Sequence, residues 1–313
     1  MMSKPLELVL VSQGNTVFDR IEEYCRVCLK DAQQHTRDAA VRHLLDFNQY
    51  LIDYGMDATS LNGYELHLEK TGLSRATVKN RFRDVRSFLK WCWRMKYTKE
   101  PWFDYLPKLK PTVWEEPKIV THTQYLLLRE LAKTDKDMDW MLVLGYHTGM
   151  RMGDCCHLRW SQIDRRTQVI SLVVRKSRRS TGKKNYIPYA SGTDLHQMIE
   201  QRWLTRDKEI DTGMDFVSPV FAMYYTDGNG TTVPHIFGRL FRKAKLKGLS
   251  FKHLRSTFET RLANSGANLS LAMAVTGRSS MNTLARYVRV DHAAAREAVG
   301  KALDLHNTSE TFK

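Results

Sequence analysis

Cysteine is scarce in this 313-residue chain: there are five, Cys25, Cys28, Cys92, Cys155 and Cys156. An odd, scattered set excludes the disulfide framework of a small secreted domain and reads as thiols of a reducing compartment. Cys25 and Cys28 have C-x-x-C spacing, but they lie in a helical pattern with no second ligand pair, which argues against zinc. No apolar run approaches the ~20 residues of a membrane span. Leu6–Val11 is too short for a signal peptide. No carboxylate cluster suggests a metal site, and there is no internal repeat, low-complexity tract or lipidation motif. The chain is expected to be cytoplasmic. Acidic residues are also in the minority, 34 against 49 Lys and Arg, for a net charge of +15. That excess points to a polyanionic partner, of which nucleic acid is the commonest.

What is present is globular: 42% hydrophobic and 27% charged residues, at a length that suits two domains. Four of the 8 prolines fall between Pro101 and Pro117, which marks a linker. The expected division is a helical domain over 1–107, a linker over 108–120 and a second domain over 121–313. In the first, apolar residues recur at helical spacing from Val17 to Cys28, with Asn15 or Thr16 as cap. They recur from Ala40 to Leu51 before Gly55, and across Leu61–Lys70. The segment from Ser74 to Arg94 places Val78, Phe82, Val85, Phe88, Leu89 and Cys92 on one stripe. Arg75, Lys79, Arg81, Arg83, Arg86 and Lys90 cover the remainder, with Asp84 the one acid between Arg75 and Lys99. A solvated helix face usually mixes signs, so a one-sign face fits phosphate contacts.

In the second domain, Thr121 or Thr123 caps a helix through Leu131, and Trp140–Tyr146 begins an apolar one. The period then changes: Val169–Val174 reads as a strand and Asn185–Tyr189 as its returning partner. Between them lies a basic hairpin tip with Lys176, Arg178, Arg179, Lys183 and Lys184. Helical patterns resume at Asp194–Leu204, His235–Lys247, Leu254–Ser265, Leu269–Val275 and Asn282–Arg286, with a last helix at His292–Leu303. The fold class expected is mainly α with a small antiparallel sheet, α+β.

Three clusters carry chemistry. In Thr148-Gly-Met-Arg151-Met-Gly-Asp154, the arginine follows a glycine turn at a helix start, where N–H groups favour anions. Asp154 lies one turn on, placed to hold the guanidinium or simply to pair with it. In Phe251-Lys252-His253-Leu254-Arg255, Lys252 and Arg255 share a helical face and His253 points elsewhere. In Thr276-Gly-Arg278-Ser-Ser-Met-Asn-Thr-Leu-Ala-Arg286-Tyr287-Val-Arg289, a tyrosine sits among three arginines. A phenol that titrates near pH ~10 needs such cations to act as a nucleophile. The other reading is a solvated helix face around a buried ring.

Together, in this order, the clusters resemble the motif boxes of the tyrosine recombinases, the family of phage integrases and the Cre and Xer recombinases. Thr148–Asp164 resembles T-G-x-R-x-x-E-x-x-x-L-x-W-x-D-I-D, Lys252–Thr260 resembles H-x-L-R-H-T-x-A-T, and Thr276–Tyr287 resembles L-G-H-S-S-x-x-T-x-x-x-Y. The run Thr77–Trp91 is similar to the family's core-binding domain. The resemblance implies a site-specific DNA recombinase of the two-domain form, with no arm-type domain before Val17. Tyr287 would be the nucleophile, forming a 3′-phosphotyrosyl link, with Arg151 and Arg255 on the phosphate oxygens. Lys252 and Arg278 would assist, and Asp154 would orient Arg151. The shortest family hairpin would put Ser180 at the general-acid position; a longer hairpin, as in Cre-like members, makes Lys176 the general acid to the leaving 5′-oxygen, with Lys183 the alternative. No cofactor or metal is implied. The implied partners are duplex DNA with inverted-repeat core sites and a homotetramer assembled on paired sites through the C-terminal helix. A nucleoid-associated location in a bacterial or phage setting would follow. Lys252 and Arg278 depart from the usual histidine. They leave open a DNA-binding relative that has lost catalysis, beside a type IB topoisomerase that reseals the same strand.

Overall fold

The computed structural model describes residues 17–110, 116–173, 182, 184–206, 215–225, 232–278, 281–285 and 287. The chain separates into two compact units, Met1–Trp114 and Glu115–Lys313.

The first unit holds α1 (Val17–Cys28), α2 (Gln34–Tyr54), α3 (Ala58–Lys70) and α4 (Arg75–Arg94). Starts and stops are set locally. The Asp57 carboxylate accepts from Ser60 N–H at 2.8 Å, Ser74 Oγ accepts from Thr77 N–H, and α2 ends at Gly55 with φ 82°. The expected α4 stripe is buried throughout, and Trp91 joins it. It packs against Ile21, Tyr24, Leu44, Phe47, Leu61 and Tyr64 in one core. A short 3₁₀ turn, Trp102–Asp104, leads to the buried Leu106, whose carbonyl accepts from Arg86 Nη2 at 2.9 Å.

The second unit is built on α6 (Lys136–Thr148), in which Trp140, Met141, Leu142, Val143 and Leu144 are all fully buried. A helix apolar on every side belongs in the middle of a core. Around it lie α5 (His122–Ala132), α7 (Met152–Cys156), α8 (Asp194–Thr205), α9 (Pro219–Tyr224), α10 (Thr232–Lys243), α11 (Lys252–Ala263), α12 (Leu269–Thr276) and α13 (Met281–Ala285). Thr121 caps α5 in a capping box with Gln124. The α11 helix approaches α6 at Gly145, where a β-carbon would lie 2.8 Å from the Phe251 ring.

The sheet has three antiparallel strands in the order β1 (Ile163–Asp164), β2 (Val169–Val173) and β3 (Lys184–Pro188). Its register pairs Ile170 with Ile187 and Val173 with Lys184. β3 keeps the expected five residues but starts and stops one position earlier, at Lys184 and Pro188; β2 runs Val169–Val173, and Val174 lies outside the described residues. Neither β1 nor α9 stood out in the sequence, because a two-residue strand and a six-residue helix show no period. Inward Ile187 and Asn185 alternate with outward Lys184 and Tyr186, and Asn185 Nδ2 donates to Val275 O at 3.0 Å, tying the sheet to α12. The hairpin tip (Lys176, Arg178, Arg179 and Lys183), the helix expected at His292–Leu303 and the Asn15/Thr16 cap all lie outside the described residues.

Candidate active site

The site in the second unit is organised by two glycine turns and one arginine. The α6 helix ends at Gly149, which is left-handed at φ 62°. A β-carbon there would also lie 2.5 Å from Phe258 Cδ1, so conformation and space both require glycine. The turn delivers Arg151 to the residue before α7, in extended conformation. The α12 helix likewise ends at the left-handed Gly277, φ 64°, and Arg278 follows. Arg255 on α11 closes both turns: its Nη1 donates to Gly149 O at 2.7 Å and its Nη2 to Thr276 O at 2.9 Å. Three segments distant in sequence are thus held by one side chain.

Beneath them lies a residue that sequence reasoning missed. Glu259, one turn beyond Arg255 on α11, has no exposed surface. Its Oε1 is 2.7 Å from Arg255 Nη2. Both its oxygens accept from Arg278, from Nε at 2.9 Å and from Nη2 at 2.7 Å. The same Arg278 Nη2 donates to Tyr287 Oη at 3.2 Å, and the guanidinium lies 5.6 Å from the Tyr287 ring centre. Tyr287 is anchored through its backbone, its carbonyl accepting from Asn264 Nδ2 at 3.1 Å. The signal for Glu259 was an acid at i+4 from an arginine, which is too common on helices to single out.

Arg151, Lys252 and Arg255 open onto one cavity of about 310 Å³, walled by Met150, Phe237 and Phe251. Arg151 Nη1 is buried there without a hydrogen-bond partner among the described residues, a donor that awaits an acceptor. Lys252 is exposed, whereas His253 is buried, and its Nδ1 accepts from Ser250 N–H at 2.8 Å. The one-position offset between them therefore separates a site cation from a packed ring. Burial, with Lys252 beside it, holds the His253 pKa below its ordinary value. Asp154 is buried in the first turn of α7 and lines a second cavity of about 360 Å³ with His157, Arg159 and Leu172.

The electrostatics crowd positive charge around one buried carboxylate and a phenol. Burial pushes the Arg255 pKa down to about 10, and the charges of Arg151 and Arg278 push the same way against Glu259. Burial and the Glu259 charge raise the Tyr287 pKa, with Arg278 opposing. Burial disfavours the Arg278 charge as well, but the bond to Glu259 and its charge outweigh that and raise the pKa. Crowded cations around a half-buried phenol are the arrangement expected where negative charge must be received. Among the described residues no group of three His, Cys, Asp or Glu could hold a metal ion, and no helix is long and apolar enough to cross a membrane.

In the first unit two of the expected phosphate-contacting cations of α4 meet acids from neighbouring helices, and others find partners nearer at hand. Arg75 pairs with Glu65 and Glu69 of α3, and Arg81 with Asp46 of α2, each at 2.6 Å. Arg83 pairs with Asp84, and Arg86 donates to Leu106 O and Pro107 O. Lys90 lies over the Phe103 ring. The face is one-sign along the helix but mixed in space.

Comparison with known proteins places this arrangement. A model of the phage integrase family matches residues 115–294, and the chain belongs to that family. It is similar to the tyrosine recombinase XerC of Pediococcus pentosaceus, 25% identical over 288 residues that cover 86% of this chain and 93% of the relative. The fold is similar to that of the Tn1549 transposon integrase in complex with transposon right end DNA, with a TM-score of 0.71 at 19% identity, over 92% of this chain and 100% of that one. It is also similar to a lambda integrase tetramer bound to a Holliday junction, with a TM-score of 0.67 at 17% identity, over 89% and 78%.

Proposed function

We propose that the chain is a site-specific DNA recombinase that cleaves and rejoins strands through Tyr287. The observation that carries this reading is the convergence on Arg255: one guanidinium fixes the turn before Arg151 and the turn before Arg278, which in turn donates to the Tyr287 hydroxyl. The Tyr287 phenol gives up its proton to solvent as its oxygen attacks the scissile phosphorus, a 3′-phosphotyrosyl bond forms and the bond to the 5′-oxygen breaks. Arg151 and Arg255 receive the non-bridging oxygens, Arg151 through its unpartnered Nη1. Their charge stabilises that developing in the transition state. Lys252, at the mouth of the same cavity, adds a third cation. Asp154, buried three residues beyond Arg151, orients it. Lys176 protonates the leaving oxygen, with Lys183 as the alternative. Phosphodiester energy is kept in the covalent link, so resealing needs no external energy source. Arg278, one of the two departures that left open a binding-only relative, touches the nucleophile, which supports an active enzyme.

The DNA partner follows from the charge and from relatives solved on DNA. The first unit serves as the core-binding domain, with Lys79, Lys90 and the outer arginines of α4, and Lys184 on the second unit, at phosphates. Assembly as a tetramer on paired inverted-repeat sites, with the C-terminal helix docking on a neighbouring copy, completes the reading.

Covalent trapping tests it. With nicked duplex carrying a candidate site, the wild-type chain gives a protein–DNA adduct on a denaturing gel and Tyr287→Phe gives none. DNA that binds tightly yet yields no Tyr287-dependent adduct removes the catalytic reading.

A further inference from the structure

The buried carboxylate under the nucleophile goes beyond this reading while resting on it. Glu259 has no exposed surface, yet it is not an isolated charge, because Arg278 forks onto both of its oxygens and Arg255 touches one. Removing a carboxylate wholly from water is unfavourable unless it is paired and hydrogen-bonded. Its two partners have the complementary difficulty. Arg255, Arg151 and Arg278 are close enough that each of the other two charges disfavours that of Arg255. Without a carboxylate among them, Arg278, whose side chain is 20% exposed against 13% for Arg255, is the freer of these two to turn to solvent. Arg255 is held by two carbonyls, whereas the Arg278 guanidinium has only Glu259 and the Tyr287 hydroxyl as partners in the described contacts. A bidentate fork fixes a guanidinium plane as well as its position, and it leaves Arg278 Nη2 with a second proton for the phenol oxygen.

We infer that Glu259 is a positioning residue for the nucleophile: it holds Arg278 by the two-point fork so that Arg278 Nη2 donates to Tyr287 Oη, and neither residue performs its role without the other. The two positions depart together from the motif boxes, Glu259 where the second box has alanine and Arg278 where the third has histidine. Each departure completes the other. An arginine introduced without the acid would add a third unbalanced cation, and the acid without the arginine would be an underpaired buried charge. A consequence is that Arg278, unlike a histidine, is always protonated and acts on the phenol only as a donor.

Two measurements on the full chain test this. The first is the rate of Tyr287–DNA adduct formation at saturating nicked DNA, with DNA affinity and thermal melting recorded in parallel. Glu259→Gln and Glu259→Ala are expected to slow adduct formation by roughly 100-fold, the scale of a misplaced reacting group, while affinity is little changed. The double variant Glu259→Ala/Arg278→His recovers activity relative to either single change. Losses that merely track affinity or the folded fraction, or a double variant no better than the product of its singles, overturn the pairing. The second measurement does not depend on cleavage. The phenol pKa of Tyr287 is followed by NMR of ring-labelled tyrosine, assigned with Tyr287→Phe. Arg278→Met raises it in the wild-type background, because a nearby cation is lost. In the Glu259→Gln background the same change has no further effect, since Arg278 has already left. A full rise in that background shows that Arg278 stays without Glu259 and defeats the inference. An absence of any Tyr287-dependent adduct from wild type defeats the recombinase reading alone and leaves the titration to decide this one.

Discussion

The two units handle an excess of positive charge in opposite ways. On α4 arginines meet acids of neighbouring helices whose carboxylates reach the surface, such as Arg81 with Asp46, whose side chain is 51% exposed, or Arg75 with Glu69, at 48%. In the second unit two arginines share one fully buried carboxylate and a third guanidinium keeps an unpartnered nitrogen. Water reaches the carboxylates of the first arrangement, so those pairs are screened and exchangeable, as the proposed phosphate contacts would require. The second is fixed, because any rearrangement strands a charge away from water. Binding along a backbone would tolerate the former, whereas the proposed in-line attack by Tyr287 would need the latter.

The sharpest break of this contrast is a matched pair of acid deletions. Glu259→Ala is expected to lower unfolding stability by roughly 3–5 kcal/mol, as for one partner removed from a buried pair. Asp46→Ala should cost at most about 1 kcal/mol, as for exposed pairs. Urea titration read in each unit checks both, and equal losses would erase the distinction. Arg86 is the exception on α4. It closes the Leu106–Pro107 segment through two carbonyls, so Arg86→Ala is expected to cost about 1–3 kcal/mol by leaving acceptors unpaired. It should free that segment to proteolysis more than Arg81→Ala does.

Smaller effects sharpen the comparison. If the exposed Lys90 of α4 is turned to phosphate, Lys90→Ala should lower the slope of log affinity against log salt by about 1, evenly across DNA sequences. Arg86→Ala should leave that slope unchanged. The smallest effect concerns pH. Burial depresses the pKa of His253 and of His147 in the second unit. Their unfolded counterparts titrate near ~6.5, so between the two values the unfolded chain binds more protons. Stability is then complete above that pH and falls as pH drops below it. Chemical denaturation at pH 7.5 and 5.5 should show this loss, and His253→Gln should reduce it.

Much of the fold was legible because it rests on local rules. The α4 stripe, the Thr121 cap, the Gly55 stop and the pairing of β2 with β3 all follow from periodicity and turn chemistry that neighbours in sequence supply. The site was legible in part for the same reason: Arg151, Arg255, Arg278 and Tyr287 stand in patterned surroundings, each beside a glycine turn or on a helix face. Glu259 was not, since a single glutamate four residues from an arginine looks like any solvated helix pair until the helix is packed and its exposure falls to nothing. The mixed charge of the α4 face escaped for the converse reason. Asp46, Glu65 and Glu69 lie on other helices, and only the packing of the unit brings them alongside.

By itself the sequence determined the elements, the excess of positive charge and the residue types at the candidate site, because periods of a few residues and net charge are written in order along the chain. Tertiary structure alone decided which charges meet. It set Glu259 between Arg255 and Arg278, turned His253 inward while Lys252 faces the cavity, and left Arg151 Nη1 without a partner among the described residues. Those outcomes depend on burial and on angles between helices far apart in sequence, where the low dielectric makes a contact of a few ångströms decide which state a charge can keep.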